Sequence, residues 1–365
     1  MTASSRRRVV VLFGGRSVER EVSRLSARTI VGALDPAQYE VIPVALGRDG
    51  SFLPAAESAR LLASGPVPEK YRAGAGEAAP AGALVPAEIA PGKADVVFPI
   101  VHGTTGEDGV LQGFLETLGV PYVGAGVTGS AIGMDKAVTK ALLRDAGIPT
   151  VKFAVVSSRD DAAGLSRRLP EKGFALPLFV KPSCGGSSVG VTKVKSWEAL
   201  APAVARALSF DERALVEEGI DARELECAVL GNEDPKASVV GEIVPGREFY
   251  DYEDKYVENG AKLLVPAPLP EAVAAEVRRL AVEAFRVCGT SGMARVDFFL
   301  ERRSGRVLVN ELNTLPGFTA ISMYPRLWEA SGLTLSKLLD ELIRLAFERA
   351  ERRSRLSHEP PKELG

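Results

Sequence analysis

The chain has 365 residues, of which 46% are hydrophobic and 25% charged, with a formal net charge of −2. That is the composition of an ordinary soluble globular protein, too long for one compact core and without an electrostatic case for nucleic acid or a membrane surface. Three widely spaced cysteines, Cys184, Cys227 and Cys288, with no C-x-x-C pair, exclude a disulfide framework, and two histidines exclude a histidine-rich metal site.

The free thiols fit a reducing cytosol, and we expect a cytoplasmic protein. The first apolar run, of about five residues, is too short for a secretory signal core. Nowhere is there an apolar run of the roughly twenty residues that span a bilayer.

In chain order, residues 8–13 read as a strand ending at Gly14-Gly15, with Ser17 placed to cap a helix from near Val18. Strand, glycine turn and helix open a doubly wound α/β domain. Residues 39–46 predict a second strand, residues 50–93 a loop or weak insertion, and residues 95–101 a buried parallel strand. That last strand delivers His102 and the glycine-rich run to Gly109 to the carboxyl end of the sheet, where such folds place their sites. Pro121–Gly124 reads as a further strand, and residues 134–146 as a helix with Lys136 near its start.

Short strands and helices then alternate: 152–156, 159–170, 178–181, 191–194, 197–208, 214–217 and 223–230. Between the third and fourth of these lies Ser183–Gly190, a run of small residues that offers backbone N–H groups and hydroxyls to an anion, with Lys181 beside it. A plain hairpin loop is the other reading of the same residues. Residues 244–262 hold Pro, Gly and three Tyr without an apolar face, the mark of a lid. Helices are predicted at 270–288 and 325–350, and a polar, disordered tail over 351–365.

Residues 295–313 carry the most informative pattern. Two runs of β-formers flank a polar turn, which predicts a hairpin. A three-residue loop of Arg303, Ser304 and Gly305, with Gly305 left-handed, sets Asp297 opposite Glu311, whereas a two-residue Ser304-Gly305 turn separates their faces. Carboxylates and an amide at Asp297, Glu311 and Asn313 make a poor core, because unpaired buried ions cost several kcal/mol each. A cation belongs there, and all-oxygen ligation favours Mg²⁺ over zinc. The competing reading is a solvated sheet edge.

Taken together, six motifs resemble the ATP-grasp superfamily and, within it, the D-alanine:D-alanine ligase family. They are Gly14–Ser23, His102–Gly109, Gly133–Lys136, Lys181–Gly190, Tyr250–Tyr256, and Arg295–Asp297 with Asn310–Gly317. They follow the family order and span about residues 8–345. The resemblance implies a Rossmann-like N-terminal domain over 1–131, a central ATP-binding domain over 132–220, and a C-terminal catalytic domain over 221–350 that clasps ATP against the central one.

It also implies ATP-dependent joining of two D-alanines through an acyl phosphate, for peptidoglycan precursors. Another D-amino acid or D-lactate as second substrate is the alternative, with a non-catalytic regulator behind it. Lys136 and Lys181 would neutralise the phosphates, the backbone over Glu217, Glu218 and Ile220 would read adenine, and Glu224 the ribose. Asp297, Glu311 and Asn313 would hold two Mg²⁺, with Mn²⁺ as a substitute.

Glu19 would take the first D-alanine's ammonium with His102 nearby, Arg295 the tetrahedral oxyanion, and Ser322 with the Gly317 backbone the second carboxylate. Lys255 and Tyr256 would close over the acyl phosphate, Tyr256 reaching Ser187 and Glu19, a pattern that favours an amine nucleophile. A homodimer is implied by the same resemblance. Two positions depart from the pattern: Glu218 stands where some members have lysine, and Cys184-Gly185 replaces a bulkier pair.

Overall fold

The computed structural model describes residues 6–64, 85–162, 164–246 and 262–357. Its first sheet is parallel, in the order β2-β1-β3, from β1 (Arg7–Gly14), β2 (Tyr39–Leu46) and β3 (Val96–Pro99). Such strands are covered on both faces, and Val9, Val10, Val11 and Val96, Val97, Phe98 are accordingly fully buried. β1 ends at Gly14, where φ is +98° and a Cβ would sit 2.5 Å from the Leu46 carbonyl oxygen, so only glycine fits the turn into α1 (Arg20–Ala33).

Residues 50–93, expected as a loop, contain α2 (Ala55–Ala63), which buries Ser58 and Leu62. Pro and Gly near it masked a one-sided helix. α3 (Val110–Leu118) and α4 (Val127–Met134) were not anticipated either, and Pro121–Gly124 is not a strand but a single parallel bridge from Tyr122 to Val97. The helix expected from Met134 starts later, as α5 (Lys136–Asp145), because the Asp135 carboxylate accepts from the Ala137 and Val138 N–H groups at 3.1 and 3.2 Å.

The second sheet is antiparallel, in the order β4-β7-β5-β6, from β4 (Phe153–Ser157), β5 (Leu178–Pro182), β6 (Thr192–Val194) and β7 (Arg213–Glu218). α6 (Leu165–Glu171) and α7 (Leu200–Leu208) bury their leucines against it. The third sheet, also antiparallel, runs β10-β9-β8-β11-β12, from β8 (Ala222–Gly231), β9 (Lys236–Val244), β10 (Lys262–Leu264), β11 (Gly292–Glu301) and β12 (Val307–Asn313). α8 (Glu271–Val287) covers one face, packing on Leu225, Cys227, Val296 and Phe298. Alternation then turns Glu224, Glu226, Arg295 and Asp297 to the opposite face.

The helix expected over 325–350 is two helices, α9 (Met323–Ala330) and α10 (Leu335–Ser354). Gly332, at φ +89°, closes the first turn of chain reversal, with the Leu333 N–H donating to the Trp328 carbonyl at 2.9 Å. α10 also runs through residues 351–354, where a disordered tail was expected. Both helices share a core with the first sheet: Phe98 meets Phe318 edge-on at 6.0 Å, and the Tyr39 hydroxyl donates to Asp340 at 2.9 Å. Buried Arg349 sits 4.2 Å over the Tyr122 ring and donates to the Tyr122 carbonyl at 2.8 Å. The Phe318 N–H donates to the Ser26 hydroxyl at 3.0 Å, which seats Gly317–Ser322 beside α1.

Candidate functional site

Two cavities adjoin where the three sheets meet. The wider, of about 630 Å³, lies between the second and third sheets and is lined by Lys181, Glu217–Ile220, Glu224, Asp297 and Asn310. The smaller, of about 140 Å³, lies between the first and third and is lined by Glu19, His102, Asn313, Gly317 and Ser322. Lys136, Ser187, Glu226, Arg295 and Glu311 line both and form the wall between them. Every site residue expected from the sequence and described in the structure therefore lines one cavity or both. Lys255 and Tyr256 lie outside the described residues, and the expected lid leaves from Val244 and returns at Lys262, which pair with each other.

The hairpin reaches its expected pairing by an unexpected route. Inside the pair in which the Glu301 N–H donates to the Arg306 carbonyl at 3.0 Å, the loop has four residues, Arg302–Gly305, not three; Gly305 is left-handed at φ +72°, and its N–H donates to the Glu301 carbonyl at 2.9 Å. In that register, which pairs Leu300 with Val307 and Phe298 with Val309, Asp297 would face Asn310. A bulge shifts the register between Asp297 and Phe298, so that Asp297 pairs with Glu311 and Arg295 with Asn313. The extra residue, Asn310, keeps a buried Oδ1 without a hydrogen bond. Bulges re-aim side chains next to sites in this way.

Glu226, which sequence reasoning missed, lies on β8 directly beside Asp297. Glu226, Asp297 and Glu311 thus form a lateral row across three strands. Arg295 offsets part of its charge: Nε and Nη2 each donate to an Asp297 oxygen at 2.7 Å, and Nε is 3.2 Å from Glu226 Oε2. Burial disfavours the Arg295 charge, yet Asp297 and Glu226 more than offset this and hold it protonated more firmly than an ordinary arginine.

The oxygen-only set of Asp297, Glu311, Asn313 and Glu226 fits a hard divalent cation, and the unpartnered Asn310 Oδ1 adds another oxygen to the cleft. Among the described residues no three acidic, histidine or cysteine side chains converge as they stand. Both Asp297 oxygens accept from the Arg295 fork.

α5 carries Lys136 at its first residue and Lys140 one turn later, on the same face. Lys136 Nζ donates to the Gly185 carbonyl at 2.6 Å and lies 3.4 Å from Glu311 Oε2. Across the wide cleft, Lys181 Nζ lies 2.9 Å from Glu217 Oε2. The Glu218 and Gly219 N–H groups are used by the Lys152 and Pro177 carbonyls, at 3.1 and 2.8 Å. The Glu218 carboxylate turns away, accepting from the Ala175 N–H at 3.0 Å.

The small-residue loop holds Ser187 and Ser188 at φ +51° and +58°, a conformation that L-residues adopt at a cost of about 1–3 kcal/mol each. Ser187 is held there by a hydrogen bond from its hydroxyl to Glu19, which ties the second sheet to the head of α1. A Cβ on Gly186 would come within 3.0 Å of Glu19 Oε2. On the other side, the Ser322 hydroxyl accepts from the Thr319 N–H at 2.9 Å, and a Cβ on Gly317 would meet that hydroxyl at 2.8 Å.

His102 Nδ1 lies 3.4 Å from Glu107 Oε1, and its Nε2 is buried without a hydrogen bond. Burial opposes the charged ring, but the hydrogen bond and charge of Glu107, with the charge of Glu19, outweigh it and raise His102 above 6.5. The stabilisation is then complete below the ordinary imidazole value and is lost as pH rises through the raised one. The gap in urea midpoint between wild type and His102→Gln should accordingly be wider at about pH 6 than at about pH 9. Equal gaps would contradict the pairing.

A family model described as D-ala D-ala ligase N-terminus matches residues 8–125, and one described as D-ala D-ala ligase C-terminus matches residues 142–344. The D-alanine–D-alanine ligase of Thermoanaerobacter pseudethanolicus is 46% identical over 350 residues, covering 94% of this chain and 97% of its own. That of Chlorobaculum tepidum is 45% identical over 362 residues, covering 94% and 98%. Among solved structures, the D-alanine-D-alanine ligase from Coxiella burnetii superposes with a TM-score of 0.82 at 40% identity, covering 96% of this chain and 97% of that one. The VanG D-Ala:D-Ser ligase from Enterococcus faecalis does so with a TM-score of 0.79 at 32% identity, covering 94% and 100%.

Proposed function

The chain belongs to the D-alanine–D-alanine ligase family, and from that premise we propose that it joins two D-alanines, with conversion of ATP to ADP and phosphate, for peptidoglycan precursors. One observation carries the reading: a wide cleft and a small cavity share a wall made of Lys136, Arg295 and Glu311. A phosphoryl group moving from a nucleotide in the first to a carboxylate in the second crosses that wall.

In this reading Lys136 and Lys181 face the phosphates as positive charge, and Glu224 takes the ribose hydroxyls. With the Glu218 and Gly219 N–H groups already used, the N–H that reads adenine falls to Ile220 and the carbonyl to the Glu217–Glu218 segment. Asp297, Glu311 and Asn313, with Glu226 beside them, would hold two Mg²⁺ or Mn²⁺ ions, which supply charge neutralisation on the transferring phosphate.

Glu19 holds the ammonium of the first D-alanine with His102 behind it. Its carboxylate attacks the γ-phosphorus, ADP departs, and an acyl phosphate results. Ser322 and the Gly317 backbone hold the carboxylate of the second D-alanine, whose amine attacks the acyl carbon. Arg295 stabilises the oxyanion, and phosphate leaves carrying one oxygen of the first carboxylate. Lys255 and Tyr256 complete the enclosure and keep water from the acyl phosphate.

One sheet falls within each of the spans 1–131, 132–220 and 221–350, which supports three domains with the site between them. No helix among the described residues is long and apolar enough to cross a membrane. The free thiols of Cys184, Cys227 and Cys288 suit the cytoplasm, and a homodimer is the assembly we expect.

The test is ADP release with Mg-ATP and a panel of D-alanine, D-serine, D-lactate and L-alanine. D-Alanine alone should support turnover. Turnover only when D-serine or D-lactate is added as the second substrate would favour the alternative specificity, and bound ATP without D-alanine-dependent ADP release would contradict the proposal.

A further inference from the structure

We infer that Lys140 is a positioning residue for the nucleotide: by holding one oxygen of Glu217, it leaves the charge of Lys181, held by the other oxygen, uncancelled at the wide cleft. The inference rests on the ligase reading of that cleft. Lys140 is fully buried and lines neither cavity. Its Nζ lies 3.2 Å from Glu217 Oε1, close enough to pair by charge although that oxygen accepts no aligned hydrogen bond, while Lys181 Nζ lies 2.9 Å from Oε2 of the same carboxylate. It also donates to Thr150 Oγ1 at 3.0 Å, which donates to the Val309 carbonyl at 2.9 Å, two residues before Glu311. One ammonium thus joins α5, the cleft strand β7, and β12.

Charge counting gives the role. Glu217 with Lys181 alone would be a neutral pair, and a polyphosphate would gain little from it. With Lys140 on the far oxygen the group is net positive, and Lys181 is the member that presents that charge to the cleft. A buried ammonium is costly to desolvate, and an apolar side chain of similar length would fill the space without that cost. Burial indeed pulls Lys140 down to about 8, against the raising effect of Glu217. Its retention there is better explained by what it does to Glu217 than by its own contribution to stability.

The test measures affinity for a non-hydrolysable ATP analogue with Mg²⁺ by calorimetry, with urea titration reporting the fold. Lys140→Met should weaken binding about tenfold or more, the scale of losing one charge-assisted contact between Lys181 and the phosphates. The ATP KM should rise with it while the D-alanine KM stays unchanged. Lys140→Met combined with Glu217→Gln should recover affinity to within about threefold of wild type, because the carboxylate that cancels Lys181 has gone.

Losses that add in the double variant would overturn the inference in favour of simple packing, and so would unchanged affinity in Lys140→Met. Should the single variant fail to fold, the double variant decides alone: affinity near wild type supports the inference and a large loss overturns it. A wild-type chain that binds no nucleotide would overturn the ligase reading and this inference together, whereas equal binding by wild type and Lys140→Met would overturn the inference alone.

Discussion

Glu311→Gln should lower kcat/KM by at least about a hundredfold, since even changes to groups supporting a metal ligand cost up to that much. The bulge aims Glu311 at Asp297 on the wall between the cavities, with Lys136 Nζ at 3.4 Å. Glutamine keeps the shape and one oxygen but removes the charge that a divalent cation and a lysine both answer. The same change should move folding stability by no more than about 0.5 kcal/mol, because the side chain is 32% exposed and water screens its pairing. Near-normal turnover would remove Glu311 from the cation set.

Gly106→Ala should destabilise the fold by about 3 kcal/mol or more, the upper range for overpacking, whereas Gly113→Ala should stabilise it by about 0.5–1 kcal/mol. The two positions lie on either side of the start of α3 and differ in their surroundings. A Cβ on Gly106 would fall 1.9 Å from the Val101 carbonyl oxygen, and backbone cannot step aside as a side-chain tip can. A Cβ on Gly113, inside α3, meets nothing within 4 Å. Because the Gly106 loop carries His102 and Glu107, Gly106→Ala should also raise the KM for D-alanine. Urea titrations of both variants check the opposite signs, and two shifts of the same sign would contradict this account of the loop.

What could be read in the chain follows from range. The apolar runs at 9–13 and 96–98 announce buried parallel strands by themselves, because both faces are covered and no alternation competes. Asp297, Glu311 and Asn313 were legible because alternation within a strand is local. Their pairing was reached through the wrong loop length, since a bulge at Asn310 leaves no local mark in a run of β-formers. α2 was missed because Pro and Gly around it outweighed a single buried turn, and the break at Gly332 because Leu and Trp on either side keep helical spacing.

Glu226 and the burial of Lys140 depend on what stands beside them in space. Glu226 becomes a site residue only when β8 pairs with β11, although its two-residue spacing from Glu224 put it on the same face. Lys140 follows Lys136 by one helical turn, a spacing that puts the two on one face of α5 but does not tell which of them is buried. The order of the six motifs conveyed the family, whose shared geometry no single motif specifies.

The proposed reaction passes through an acyl phosphate formed between the two cavities. It is tested most directly with D-alanine carrying heavy oxygen in its carboxylate, followed by mass spectrometry of the phosphate released during turnover. Each phosphate should carry one oxygen from D-alanine, because the carboxylate attacks phosphorus and that oxygen departs when the second amine arrives. Phosphate without label, accompanied by D-alanyl-D-alanine, would contradict it.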